Sequence, residues 1–349
     1  MDLIKIFLPT LIAFVIGISI TPIISHYLYK YKCWKKKSVA ATTDGQVATI
    51  SQKLHNDEEK KTPRMGGIVV WLSAGLTIIA IWLLSLTNAD FFEKINLLSR
   101  NQTWLPVFTL IIGGLLGLID DYFSITERYD QKAGGLSSKK RLLMVFLFGL
   151  IGAWWFAVKL GNTDIFIPFV GIWTAGWLIY AIIFILAMLG IYSGGVIDGL
   201  DGLSGGVFGI IFSSYGILAL AQNQIDLAAF CFVVVGGLLA FLWFNIPPAR
   251  FIMSETGMMA LTTSLVVVAF LSKQVIVLPI IALLLVVSAG SSTIQLLSKK
   301  FRNGKKVFLV APLHHHFQMM GWPATKVVMR YWVIGTMCGA LGIIIALLG

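Results

Sequence analysis

The chain has 349 residues, 57% of them hydrophobic and only 12% charged, and its mean hydropathy is +0.86. That much apolar surface exceeds what one soluble core can hide, so a water-soluble globular enzyme is excluded and lipid is the expected solvent. The formal charge of +11 does not mark a nucleic-acid binder either, because the basic residues stand between apolar runs and not along one soluble face.

In hydrocarbon only helices or closed barrels satisfy their own backbone groups, and a helix needs about 20 apolar residues to cross. Runs of roughly that length follow one another at 4–28, 66–87, 104–119, 141–158, 173–192, 204–221, 227–244, 257–271, 275–297 and 327–348. They predict an all-α integral membrane protein of about ten transmembrane helices, folded as one polytopic unit over 1–349. The first run exceeds a signal-peptide core and has no A-x-A-like cleavage site after it, so it is expected to stay as span one. Span nine carries Ser288-Ala289-Gly290-Ser291-Ser292, small residues that permit a bend or a close helix contact. Cys33, Cys231 and Cys338 show no paired spacing, and no disulfide framework is expected.

Lysine and arginine orient the spans. Nine lie between Lys30 and Arg64, five between Arg128 and Arg141, Arg250 stands alone, and seven lie between Lys299 and Arg330. Only Lys5, Lys94, Arg100, Lys159 and Lys273 remain for the other side. The positive-inside rule therefore sends the loops at about 29–65, 120–140, 193–203, 245–256 and 298–326 to the cytoplasm and both termini outward.

Those same loops collect the chemistry. Asp120, Asp121, Asp198, Asp201 and Glu255 stand at span ends on this one side, and acids at membrane depth are costly unless paired or hydrated. Five of them at one depth predict one convergent cleft. In Gly117-Leu118-Ile119-Asp120-Asp121-Tyr122 adjacent helical side chains point about 100° apart, so one acid can face a metal and the other a substrate or a supporting partner. An isolated Asp-Asp is more often a pair of interfacial caps.

Gly194-Gly195-Val196-Ile197-Asp198-Gly199-Leu200-Asp201-Gly202-Leu203 spaces two acids three apart, on one face, among glycines that let a ligand approach the backbone. The plainer reading of Asp201 is a helix cap. Asn245-Ile246-Pro247-Pro248-Ala249-Arg250 leads into Glu255, which needs Arg250, a metal or water as partner; a plain ion pair with Arg250 and a metal contact are equally open. His314, His315 and His316 stand consecutively in a basic loop, which is no zinc-finger spacing; hydrogen bonding to phosphate or proton transfer suits them. Together the inventory is hard oxygen donors, basic residues for phosphate charge, glycines and imidazoles. It suits Mg²⁺ and phosphoryl transfer.

With these motifs in order, the chain resembles the polyprenyl-phosphate N-acetylhexosamine-1-phosphate transferases. The resemblance rests on Thr62-Pro63-Arg64-Met65-Gly66-Gly67, Leu118-Ile119-Asp120-Asp121-Tyr122, Asp198-Gly199-Leu200-Asp201-Gly202-Leu203, Phe244-Asn245 and Pro312-Leu313-His314-His315-His316-Phe317. The last string favours the phospho-N-acetylmuramoyl-pentapeptide branch over enzymes that use UDP-N-acetylglucosamine.

The resemblance implies Mg²⁺-dependent transfer of phospho-MurNAc-pentapeptide from UDP-MurNAc-pentapeptide to undecaprenyl phosphate, at the inner, cytoplasmic membrane, for peptidoglycan synthesis. It implies Asp120, Asp121, Asp198, His314 and His315 as catalytic, Lys61, Asn245, Asp201, Gly199 and His316 as substrate-binding, and Glu255 with Asp120 as metal ligands. Besides the lipid bilayer a homodimer is a candidate partner, and no nucleic acid is expected.

The chain departs from the family pattern at several positions. Met253-Ser254-Glu255-Thr256-Gly257 replaces a Met-Gly-Asp-x-Gly metal segment, Tyr192 and Gly195 stand where two asparagines are usual, Ser124 replaces a lysine, and Ile252 replaces an aromatic. Three other readings stay open: a phospho-GlcNAc transferase, a catalytically weakened homologue that holds only the lipid carrier, and a transporter with ion-relaying acids. Direct in-line displacement and a covalent carboxyl-phosphate intermediate are both compatible with the motifs.

Overall fold

The computed structural model describes residues 2–34, 62–87, 89–98, 103–126, 136–161 and 163–349. In chain order the helices are α1 (Asp2–Lys30), α2 (Ile68–Ser85), short α3 (Asp90–Ile95), α4 (Trp104–Thr126), α5 (Ser138–Trp154), α6 (Trp177–Ser193), α7 (Leu203–Ala221), α8 (Ile225–Asn245), α9 (Ser254–Leu271), one-turn α10 (Leu278–Ile281), α11 (Leu283–Phe301), short α12 (Leu313–Met319) and α13 (Ala324–Leu348). Among the described residues, nine helices are long and apolar enough to cross a membrane. The protein is a multi-pass, essentially all-helical membrane protein.

Helix α9 is the centre. Nearly every residue from Thr256 to Phe270 is buried, polar Thr262, Thr263 and Ser264 included. Their hydroxyls bond back to carbonyls of the preceding turn, among them Met258, Met259 and Leu261, so polar side chains enter the core without an orphaned donor. A helix that is apolar all round must be enclosed, and α4, α2, α6, α7 and α5 enclose this one. Helices α1, α5 and α13 leave large apolar side chains such as Leu11, Ile151 and Met337 exposed, as lipid-facing outer helices do.

The ends of the bundle differ. At one end Lys5 pairs with Asp226 at the start of α8, and Gly349 lies against Pro168 and Phe169. Both termini therefore share that end. There too sits an element absent from the sequence reading, an antiparallel hairpin of β1 (Asp164–Ile167) and β2 (Gly171–Thr174), paired Ile165 to Trp173. Phe169 and Gly171 turn it with φ of +65° and +105°. Lys273 grips its base through Asp164 Oδ2 at 2.8 Å. The run expected to span from 173 is thus strand at its start, and the helix begins at Trp177.

Two further boundaries differ from expectation. Helix α4 runs past 119 to Thr126, so Asp120 and Asp121 lie on the helix, as their reading as adjacent helical side chains expected, with a further turn beyond them. Span nine is broken at Ala282 (φ −97°, ψ +28°), six residues before the serine-rich stretch. Pro279 opens the preceding turn, and proline cannot donate its own hydrogen bond to a continuous helix. The serines serve contact instead: Ser288 and Ser291 are buried, and Ser291 Oγ accepts the Leu313 N–H at 3.1 Å.

Candidate active site

At the other end of the bundle, residues from five distant segments meet around the first turn of α9. Two close approaches bring them there. A Cβ on Gly117 would stand 2.1 Å from the Glu255 carbonyl oxygen, and one on Gly67 would stand 2.2 Å from the Gly257 nitrogen. Glycine alone lets α4 and the start of α2 lie this near α9. The 63–67 segment then pairs with the approach to α9: Ile252 N–H to Pro63 O at 3.0 Å, Gly66 N–H to Ile252 O at 2.9 Å and Gly67 N–H to Met253 O at 3.2 Å.

A helix start leaves backbone donors without partners. Here carboxylates from two other segments supply them. Asp198 Oδ2 accepts the Ser254 N–H at 2.7 Å, and Asp121 Oδ2 accepts the Thr256 N–H at 2.9 Å. The negative charges also match the positive end of the helix dipole. Ser254 itself takes φ of +58°, a conformation that costs a non-glycine residue roughly 1–2 kcal/mol. It is held by the Asp198 bond and by its hydroxyl on Asp121 Oδ1.

Asp121 is completely buried and saturated. Besides these contacts it accepts from Thr256 Oγ1 at 2.6 Å and from Arg64 through Nε and a terminal nitrogen, both at 3.1 Å. Asp120, one residue earlier, points elsewhere: Oδ1 accepts the Leu136 N–H at 2.8 Å, and Oδ2 lies 2.8 Å from Arg141. Arg141 also donates to Glu255 Oε1 at 2.8 Å, while Tyr192 OH donates to Glu255 Oε2 at 3.1 Å.

The ion pair between Glu255 and Arg250 does not form. Arg250 lies with its guanidinium 5.6 Å from the Phe244 ring centre and its backbone carbonyl bonded to Tyr29 OH. Arg141, brought in by α5, takes its place.

Asp198 Oδ1 accepts from Ser204 Oγ at 2.7 Å. Burial pushes its carboxyl above the ordinary carboxylate value, against the pull of the Ser204 and Ser254 bonds and of Arg64. Asp201 does not share a face with it. The 198–202 segment is a turn, and Asp201 Oδ2 accepts the Ala249 N–H at 3.3 Å. Asn245 is buried and braces the same turn, accepting the Gly202 N–H and donating to Phe251 O, both at 2.8 Å.

The histidine helix closes over the turn. A Cβ on Gly199 would lie 2.4 Å from His314 Nε2 and 2.8 Å from His315 Nε2. His314 is fully buried, neither ring nitrogen finds a partner among the described residues, and burial drives its pKa well below the ordinary value. His315 Nδ1 meets Gln318 Oε1 at 2.7 Å, and His316 Nδ1 accepts the Leu309 N–H at 3.2 Å. Lys61 lies outside the described residues.

The structure thus gathers Asp120, Asp121, Asp198 and Glu255 at one helix start and sets His314 and His315 over Gly199 beside it. Arg64, Arg141, Tyr192, Ser254 and Thr256 were not anticipated as contacts. Arg141 reads in the sequence only as a topology charge, while Arg64 also stands in the Thr62-Pro63-Arg64-Met65-Gly66-Gly67 motif; the fold gives each its carboxylate partner.

Residues 103–273 match the family described as Glycosyl transferase family 4. The chain is 33% identical over 341 residues to the phospho-N-acetylmuramoyl-pentapeptide-transferase of Levilactobacillus brevis, covering 97% of this chain and 98% of that one. It belongs to the phospho-N-acetylmuramoyl-pentapeptide-transferase family. Relatives of the same name from Anoxybacillus flavithermus, 33% identical over 96% of this chain and 95% of theirs, and Bacillus mycoides, 32% identical over 96% and 95%, agree. Membership in this transferase family makes the protein an enzyme. The family match spans Asp120, Asp121, Asp198, Asp201, Asn245 and Glu255, while Arg64 and the histidine helix fall outside 103–273.

Among the described residues no three His, Cys, Asp or Glu side chains form a metal cage. Asp120 and Glu255 nonetheless each turn one oxygen toward a common cation, the Arg141 guanidinium. Two hard carboxylates aimed at one positive centre are the donor set that Mg²⁺ takes from a protein when phosphates and water supply the rest. The residues present fit that ion in kind.

Proposed function

We propose that the protein transfers phospho-MurNAc-pentapeptide from UDP-MurNAc-pentapeptide to undecaprenyl phosphate and releases UMP, at the cytoplasmic face of the inner membrane, with Mg²⁺. The observation that carries the reading is the meeting of Asp120, Asp121, Asp198 and Glu255 at the start of α9.

An oxygen of the lipid phosphate attacks the β-phosphorus of the UDP-sugar. A new P–O bond forms, the anhydride bond to the α-phosphate breaks, and UMP carries away the electron pair. A phosphate is already ionised near neutral pH, so positioning and charge stabilisation matter more than proton removal. Asp120 orients the lipid phosphate, Asp120 and Glu255 would hold Mg²⁺, and when bound the ion neutralises charge growing on the leaving group.

Arg64, held on Asp121, adds fixed positive charge beside the reacting phosphates. Gly199, Asp201 and Asn245 form the backbone wall for the nucleotide, and His314, kept neutral by burial, and His315 close it. His316 sets the angle of the loop. Asp121 acts by fixing Arg64 and α9 in place. The lipid chain enters along apolar walls beside the cleft, of which α11 is one.

The test offers the purified enzyme UDP-MurNAc-pentapeptide or UDP-N-acetylglucosamine with undecaprenyl phosphate and follows the lipid product. Product from the first donor alone supports the proposal. Product from the second alone assigns the chain to phospho-GlcNAc transfer instead.

A further inference from the structure

Each carboxylate of the Asp120 and Glu255 pair spends one oxygen on a neutral donor, Leu136 N–H and Tyr192 OH respectively. Each sets the other 2.8 Å from the same guanidinium, Glu255 Oε1 as a hydrogen-bond acceptor and Asp120 Oδ2 as an ion pair. Arginine is built for this: its planar fork offers two terminal nitrogens, where lysine has one point charge. Among the described residues no third acid completes the grip, because Arg141 Nε is buried without a hydrogen-bond partner. Beside the fork lies a cavity of about 270 Å³, lined by Ser138, Arg141, Tyr192, Glu255, Ser292 and Thr293 among others. The space admits a displaced guanidinium, and hydroxyl-bearing residues of its lining, Ser138, Ser292 and Thr293, offer acceptors for it.

We propose that Arg141 is the resident counter-ion of the Asp120 and Glu255 pair and competes with a divalent cation for it. The proposal rests on the reading that these two acids hold Mg²⁺. With no ion bound, Arg141 offsets one of the two negative charges and bridges carboxylates that would otherwise repel. When an ion binds, the guanidinium gives up both contacts and swings into the adjoining cavity. Arg141 is therefore a positioning residue for the metal site, and it sets a threshold cation concentration below which the site stays latched.

The measurement is Mn²⁺ binding to the detergent-purified protein by electron paramagnetic resonance, without substrates, with Mg²⁺-induced thermal stabilisation read in parallel. Removing a unit positive charge a few ångströms from a divalent ion should tighten binding, so Arg141→Gln is expected to bind Mn²⁺ about tenfold or more tightly than the unmodified protein. Arg141→Lys, which keeps the charge but not the fork, should fall between. Glu255→Gln should weaken binding both alone and when combined with Arg141→Gln.

Arg141→Gln that folds but binds Mn²⁺ no more tightly, while Glu255→Gln still weakens binding, overturns the competition and leaves the metal reading standing. A purely structural arginine gives that result, with lowered stability and unchanged affinity. Absence of Mn²⁺ binding in every variant overturns both the competition and the metal reading. If Arg141→Gln does not fold, Arg141→Lys decides: a several-fold gain supports the proposal, and none refutes it.

Discussion

Replacing Asp121 by asparagine removes the charge at the most heavily bonded carboxylate of the site. The native group accepts from Arg64 twice, from Ser254 Oγ, and from Thr256 through both N–H and Oγ1. Asparagine presents one oxygen and one NH₂ group, so one side of the cluster must face donor against donor. Arg64, with only 18% of its side chain exposed, loses its ionic partner. Breaking a buried ion pair by removing one member costs about 3–5 kcal/mol.

In the folded-to-unfolded ratio that loss is roughly a hundredfold to several thousandfold. Thermal unfolding in detergent, followed together with turnover of the surviving folded fraction, reads both effects. Asp121→Asn should lower the midpoint markedly, and Ser254→Ala, which deletes one hydrogen bond to a charged acceptor, should cost less, about 1.5–3 kcal/mol. An Asp121→Asn protein as stable as the unmodified one but without turnover would refute the reasoning and place Asp121 on the reacting atoms.

Gly117→Ala sets a methyl 2.1 Å from a backbone oxygen, which no side-chain rotation relieves. It should cost about 1–3 kcal/mol or more and reduce turnover, and normal values for both would mean that α4 and α9 are not held this close. His314 has a native pKa below its ordinary value of 6.5, so the folded state binds fewer protons than the unfolded chain at acid pH, and stability falls as pH drops through 6.5. His314→Gln removes that titration, and its thermal midpoint should vary less with pH below 6.5 than that of the unmodified protein; parallel curves would contradict the buried, neutral imidazole.

The helices were legible because an apolar run of crossing length has few alternatives in lipid. The hairpin was not, since β1 and β2 are four residues each and merge with an apolar run that continues into α6. The break at Ala282 follows Pro279, but an apolar stretch hides it because hydropathy carries no backbone geometry. For the acids, side of the membrane and recurrence announced the convergence.

What they touch depended on tertiary structure. Glu255 passes over Arg250, five residues away in sequence, for Arg141, more than a hundred away. Asp198 and Asp201, three apart, go to Ser254 and Ala249 because the intervening segment is a turn. Capping of α9 by acids from other segments leaves no local sequence signature.

The measurement closest to the central claim is UMP release from UDP-MurNAc-pentapeptide, with and without undecaprenyl phosphate, by the unmodified enzyme and by Asp120→Asn. The account predicts release that requires the lipid phosphate and falls by at least about 10²-fold in the folded variant, the scale expected for losing a charge contact made in the transition state. Release that proceeds without the lipid acceptor, or is undiminished in Asp120→Asn, would contradict it.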